Sequence, residues 1–216
     1  MKIEIWSDVV CPWCYIGKRR LERALEDRAD PVEIVWRSFE LDPSAPREPI
    51  DKLDEALAEK YGTSVDEARA MMDGMARTAA EEGLELNFDR ARRGNTLDAH
   101  RLLHFAASRG LQSEMKERLF RAYMTEGRAI SDREELALLA TDVGLDAGEV
   151  RTMLETDRFE EEVRLDQARA RQIGVRGVPF FVLDGRLAVS GAQPSEVFRG
   201  AFQQLEEERG PERPEG

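Results

Sequence analysis

Polar and apolar residues alternate over Lys2-Ile3-Glu4-Ile5-Trp6, the period of a half-buried strand. The period then changes, with Leu21, Ala24 and Leu25 recurring at helical spacing. A second run, Val32 to Phe39, has strand composition and partial alternation, so residues 2 to 39 read as β-α-β with a right-handed parallel crossover. Asp42 to Pro49 breaks the pattern with three prolines in eight residues. From about 51 to 157 the pattern is helical throughout. Ser64-x-x-Glu67 and Ser131-x-x-Glu134 are capping-box patterns, and Gly83, Gly110, Gly127 and Gly144 stand where helices end. Leu103, Ala106 and Ala107 form the core face of a helix over about 96–109, and Leu119, Tyr123 and Met124 mark the next.

A charged helix from 158 to Gly174 precedes a return to strand pattern. Val175 to Leu183 reads as loop then strand, Asp184-Gly185 as a type I′ hairpin turn, and Leu187-Ala188-Val189 as the partner strand. Val197, Phe198, Ala201, Phe202 and Leu205 give the last helix its inward face. The chain is therefore expected to be α/β: a β-α-β half (1–42) and a β-β-α half (158–210) share one mixed sheet flanked by helices. An all-helical insertion occupies 43–157, and the charged tail at 211–216 is expected to fray.

Composition narrows the function. The 216 residues are 41% hydrophobic and 35% charged, enough for a large core without covalent staples. A formal net charge of −12 repels phosphate backbones, which argues against nucleic acid as a partner, and no apolar run reaches membrane-spanning length. Arg19-Arg20 and Arg92-Arg93 are read as solvated faces. The chain opens Met1-Lys2 directly into a strand, without the apolar run of a signal peptide, so a reduced, cytoplasmic setting is expected.

In that setting the two cysteines stand out. Cys11 and Cys14 are the only ones in the chain, and Pro12-Trp13 lies between them where the first strand hands over to a helix. Cys11 at the cap and Pro12 at the first helical position place a thiol against free N–H groups and the positive end of the helix dipole. The expectation is an exposed, acidified Cys11 nucleophile and a shielded, less acidic Cys14 that resolves the mixed disulfide. Two other readings compete. A structural disulfide fits poorly with a reduced compartment. A zinc site could join the cysteines to His100 and His104, the only two histidines, although the chain between the halves is far longer than a zinc finger uses.

Cys11-Pro12-Trp13-Cys14 after the first strand, Gly177-Val178-Pro179-Phe180-Phe181 before the third, and the helical insertion between them resemble the DsbA family of thioredoxin-like proteins, and within it the FrnE-like branch. The resemblance covers essentially the whole chain. It implies thiol–disulfide oxidoreductase or isomerase activity, with Cys11 as nucleophile, Cys14 as resolving thiol and a cis Val178-Pro179 bond facing them. A cis X-Pro loop would present the Val178 backbone to a substrate strand. DsbA itself carries His where this chain has Trp13, which implies a weaker oxidant here.

Glutathione-dependent 2-hydroxychromene-2-carboxylate isomerases and kappa glutathione transferases resemble the chain nearly as well, but typically have Ser in place of Cys11. No cofactor is required by this reading. Glutathione is a candidate reductant or substrate, pairing with Val178 and seating its carboxylate at N–H groups near Ala192 and Gln193. The partner is otherwise a disulfide-containing protein or small thiol. A non-catalytic redox sensor remains the third alternative. Among secondary residues, Trp13 is expected to form an apolar lip. Asp8 would relay a proton from Cys14 if burial raises its pKa, and His100 would face the cleft and orient substrate.

Overall fold

The computed structural model describes residues 1–26, 28–50 and 53–209; the tail at 211–216 lies outside the described residues. Its sheet runs in the order β2-β1-β3-β4, formed by β1 (Lys2–Ser7), β2 (Glu33–Ser38), β3 (Phe180–Leu183) and β4 (Leu187–Ser190). β1 and β2 pair in parallel with Ile5 opposite Trp36, while β3 pairs antiparallel to β1 with Phe181 opposite Ile5. Asp184 and Gly185 both have positive φ, at 50° and 67°, as a type I′ turn between β3 and β4 requires.

Alternation along β1 sorts its residues between two layers. Ile3 and Ile5 join Leu21 and Ala24 of α1 (Pro12–Leu25) with Phe198, Phe202 and Leu205 of α9 (Ser195–Arg209) in one buried cluster. Val197, expected inward, is 43% exposed, because α9 meets the sheet through positions 198, 202 and 205. Trp6 points the other way, packs with Ala170 of α8 (Glu160–Gln172), and donates its indole N–H to the Asp166 carbonyl at 2.9 Å.

Between β2 and α8 come α2 (Leu53–Tyr61), α3 (Val65–Glu81), α4 (Leu97–Ala107), α5 (Gln112–Met124), α6 (Arg133–Thr141) and α7 (Ala147–Leu154). The Ser64–Glu67 capping box forms as read from sequence. The one expected at Ser131 does not. Asp132 caps α6 instead, accepting from the N–H groups of Glu134 and Glu135, because a carboxylate one residue later reaches the same orphan donors.

The apolar cluster of these helices includes Val9, Cys11, Cys14, Tyr15 and Ile16, so it is continuous with the inner end of α1. Phe120 of α5 makes the join: its ring stacks on Tyr15 at 4.8 Å and meets Trp36 of β2 edge-on at 6.4 Å. Salt bridges tie the same seam. Arg19 and Arg20, read as solvated, instead reach across to the insertion. Arg19 pairs with Glu117 of α5, Lys18 joins it with Nζ 2.6 Å from Glu117 Oε2, and Arg20 pairs with Glu82 at 2.6 Å. Arg93 likewise meets Asp42 at 2.6 Å.

Burial alone would raise the Glu117 carboxyl, but hydrogen bonds from Arg19 and Lys18 hold it down at about 2. A depressed carboxylate contributes stability above its unfolded pKa and loses it as pH falls through the folded value. Glu117→Gln should therefore be less stable by on the order of 1–2 kcal/mol at neutral pH, allowing for solvent screening of a part-exposed group. The gap to the unmodified protein should close between about pH 4.5 and 2. Denaturant unfolding of both proteins across that window checks it.

Candidate active site

β1 ends at Ser7, and the turn Asp8-Val9-Val10 delivers Cys11 to the cap of α1 with extended backbone, φ −92° and ψ 111°. The Cys14 N–H donates to the Cys11 carbonyl at 3.0 Å, closing the first turn so that the two side chains lie together. Both cysteines are free thiols. The Cys11 thiol donates to the Val178 carbonyl at 3.6 Å, and the Val178-Pro179 bond is cis. Gly17 permits this approach of helix and loop: a Cβ there would stand 3.0 Å from Pro179 Cγ and 3.2 Å from the Phe181 ring.

The thiols do not have the character expected of them. Cys11 is 4% exposed and Cys14 1%. The Cys14 hydrogen bond, burial and the Asp8 charge push the Cys11 thiol well above its ordinary value. Burial would raise Cys14 too, but once Cys14 ionises a hydrogen bond from Cys11, in place of the one to Val178, together with the Lys116 charge and the Ser7 hydroxyl, lowers it. The local motif points to the reverse order because the helix dipole favours a thiolate at Cys11; burial, the Asp8 charge and the Lys116 ammonium together favour one at Cys14. One proton shared by two sulfurs gives the pair two widely separated apparent pKa values. A thiolate-absorbance titration of the reduced protein should show one step below the ordinary cysteine range and one above. Two superimposed steps near 9 would contradict the shared proton.

Access separates the two cysteines. A cleft of about 700 Å³ opens between the active-site turn and α2–α3; Cys11, Trp13 and Val178 lie on its wall, Met72, Met75 and Phe88 opposite, and Cys14 is not among its lining residues. Trp13 is 41% exposed at the mouth. That volume falls within the range of small-molecule sites, and the wall is largely apolar.

Asp8, which lines the cleft, pairs with His100, which does not. Asp8 is fully buried, accepts from the Leu41 N–H at 2.7 Å, and accepts from His100 Nε2 at 3.2 Å. Burial would raise this carboxyl, yet the His100 and Leu41 contacts bring it below the ordinary value, so the raised pKa that a relay requires is missing. His100 is 0% exposed and does not line the cleft; it positions Asp8. His104 lies with Ser38 and Asp166, at 3.1 and 3.2 Å. The two histidines therefore do not converge with the cysteines into a zinc-ligating set, and no group of three or more potential ligands forms among the described residues.

The expected anion seat near Ala192 is also altered. α9 starts later, at Ser195, and the Gln193 N–H already donates to the Gly191 carbonyl at 2.9 Å. One residue at the site was not anticipated at all. Lys116 of α5 is 0% exposed, with its ammonium over the Phe120 and Trp36 rings, and its charge lowers Cys14. Its signal in the sequence was a lysine on the helical face of Leu119, Phe120 and Tyr123, the face that must be buried.

Comparison with known proteins adds to this geometry. A Bacillus subtilis protein, YwbO, is 30% identical over 203 residues, covering 93% of this chain and 94% of its own. The crystal structure of a probable DsbA oxidoreductase, SCO1869, from Streptomyces coelicolor superposes with a TM-score of 0.92 at 44% identity, over 99% of this chain and 93% of that one. The cytosolic disulfide reductase DsbM from Pseudomonas aeruginosa, also solved with GSH, shares the fold at 20% identity and a TM-score of 0.68, over 95% of this chain and 99% of its own. Among the described residues no helix is long and apolar enough to cross a membrane. The model for the DSBA-like thioredoxin domain matches residues 2–203, sheet, insertion and cysteine turn together, and the chain belongs to that family.

Proposed function

We propose that the protein is a thiol–disulfide oxidoreductase or isomerase in which Cys11 attacks and Cys14 resolves. The observation that carries this reading is the asymmetry of access: Cys11 lines the cleft and touches the Val178 carbonyl, whereas Cys14 lies behind it. A disulfide enters the cleft, and the proton shared by the pair moves onto Cys14 as Cys11 Sγ attacks one substrate sulfur. The other substrate sulfur leaves as a thiolate and takes a proton from solvent. Cys14 then attacks Cys11 Sγ, releasing the second substrate thiol and leaving an internal Cys11–Cys14 disulfide. Run backwards, the same steps oxidise a dithiol, and arrest at the mixed disulfide permits isomerisation.

Val178 offers its backbone to the substrate beside the reacting sulfur, and Trp13 forms an apolar lip to the cleft. The substrate is a disulfide-bearing protein or a small disulfide, in the cytoplasm, with glutathione as the reductant that resets the pair. Likeness to a Streptomyces protein named as a probable DsbA oxidoreductase supports the activity, and within the family we assign the chain to the FrnE-like branch that its two motifs resemble. Catalysed reduction of insulin by dithiothreitol or glutathione tests the proposal. Many turnovers per chain are expected. A single stoichiometric oxidation without turnover would favour a redox sensor, and no exchange at all would overturn the reading.

A further inference from the structure

Two side chains that line the cleft carry hydroxyls with no hydrogen-bond partner among the described residues. Thr96 is 3% exposed, and its Oγ1 is unpaired. A threonine just before a helix ordinarily accepts from an N–H of the first turn. Here Asn95 takes that part: its Oδ1 accepts from the Leu97 N–H at 2.9 Å, while the Thr96 side chain makes no capping bond to α4. Asn95 is in turn pinned to the three-proline loop, donating its side-chain N–H to the Pro43 carbonyl at 3.1 Å and its backbone N–H to the Pro46 carbonyl at 2.8 Å. This arrangement releases the Thr96 hydroxyl from the helix. Tyr123 of α5 is the second, also 3% exposed and on the cleft wall. Burial and the Asp8 charge push its pKa up, so it stays a neutral O–H donor.

A polar group buried without a partner is costly, and native structures keep few. Two such groups on the wall of a cleft of small-molecule size fit a ligand that supplies the missing acceptor. The charges around them decide which acceptor. Asp8, on the same wall, is held below the ordinary carboxylate range and has its oxygens taken by His100 and the Leu41 N–H. Asp42 is matched by Arg93 at 2.6 Å. Glu59 and Lys60, both exposed, offset each other on α2, with Lys60 over the Tyr61 ring at 5.9 Å. A ligand carboxylate would therefore meet the Asp8 charge without a committed cation to offset it. A neutral carbonyl oxygen, with two lone pairs for two O–H donors, meets no such repulsion. The opposite wall, with Leu57, Met72, Met75 and Phe88, is apolar.

We propose that Thr96 and Tyr123 are specificity-determining residues: they donate hydrogen bonds to a neutral carbonyl of a small disulfide whose apolar body fills the cleft while one of its sulfurs meets Cys11. The proposal rests on the reading of Cys11 as the nucleophile and names the substrate class that this reading leaves open.

The test is the rate at which three symmetrical disulfides of equal chain length oxidise the reduced protein: an N-alkyl amide, its all-methylene alkyl analogue and its carboxylate-ended analogue. Each rate is divided by the rate of the same disulfide with dithiothreitol, which removes differences in intrinsic reactivity. The amide should react roughly tenfold faster than the alkyl disulfide, the size expected for one or two hydrogen bonds, and the carboxylate should be slowest. Thr96→Val and Tyr123→Phe should each cut the amide-to-alkyl ratio several-fold, and Thr96→Ser, which keeps the hydroxyl, should retain it. A ratio near one in the unmodified protein, which needs no variant to fold, would overturn the proposal. So would a ratio unmoved in folded Thr96→Val and Tyr123→Phe, or a carboxylate that outpaces the amide. Reaction with insulin but with none of the small disulfides would assign the cleft to a polypeptide and overturn the proposal while leaving the redox reading intact. Failure of every disulfide, insulin included, to form the Cys11–Cys14 bridge would overturn the redox reading as well.

Discussion

Cys14→Ser should accumulate covalent adducts through Cys11, with substrate proteins in a lysate and with glutathione in a defined mixture. The resolving sulfur is gone, whereas the one that lines the cleft remains, so attack proceeds and release stops. Turnover of insulin disulfides should fall to the uncatalysed rate. Cys11→Ser should also abolish turnover but trap nothing, because Cys14 is 1% exposed and lies behind the turn. Mass spectrometry of the adducts before and after reduction checks both variants. Adducts formed through Cys14 when Cys11 is absent would reverse the assigned roles.

The largest effect on stability is expected at Phe120. Its ring is fully buried, stacked on Tyr15 with a 14° interplanar angle and edge-on to Trp36 at 79°. Phe120→Ala removes that packing from α1, β2 and α5 at once and should cost about 3–5 kcal/mol. For a chain of this size the expected fall in Tm is roughly 10 °C. Near-ultraviolet circular dichroism and thermal unfolding measure it. A loss below about 1 kcal/mol would show that the insertion and the sheet do not share a core at this seam.

How much of this was readable in advance depends on how local each determinant is. Alternation along Lys2 to Trp6 and the Asp184-Gly185 pair act within a few residues, so β1 and the β3–β4 hairpin are legible directly. The Ser64–Glu67 box is equally local and correct; the Ser131 box fails because Asp132, one position on, is the better acceptor for the same N–H groups. Position of the cysteines at the strand-to-helix turn follows from the sequence for the same reason.

Their acidity does not. The order of the two thiols depends on burial by the insertion and on Lys116, a hundred residues away in the chain, which no local window contains. Arg19 and Arg20 look solvated in the sequence because their partners, Glu117 and Glu82, also come from the insertion. The Asn95 to His100 segment suggests a His100 that faces the cleft, whereas the turn of α4 aims it at Asp8. Sequence patterns thus located the chemistry, and long-range packing determined which group carries the charge.

The most direct measurement of the central claim is intact mass combined with thiol counting across a series of glutathione redox buffers. Cys11 and Cys14 should convert together, the chain losing two hydrogens in one reversible step as the internal disulfide forms, with a quadratic dependence on reduced glutathione. Persistence of both thiols in oxidising buffer, or a stable glutathione adduct that never yields the internal bridge, would contradict the account.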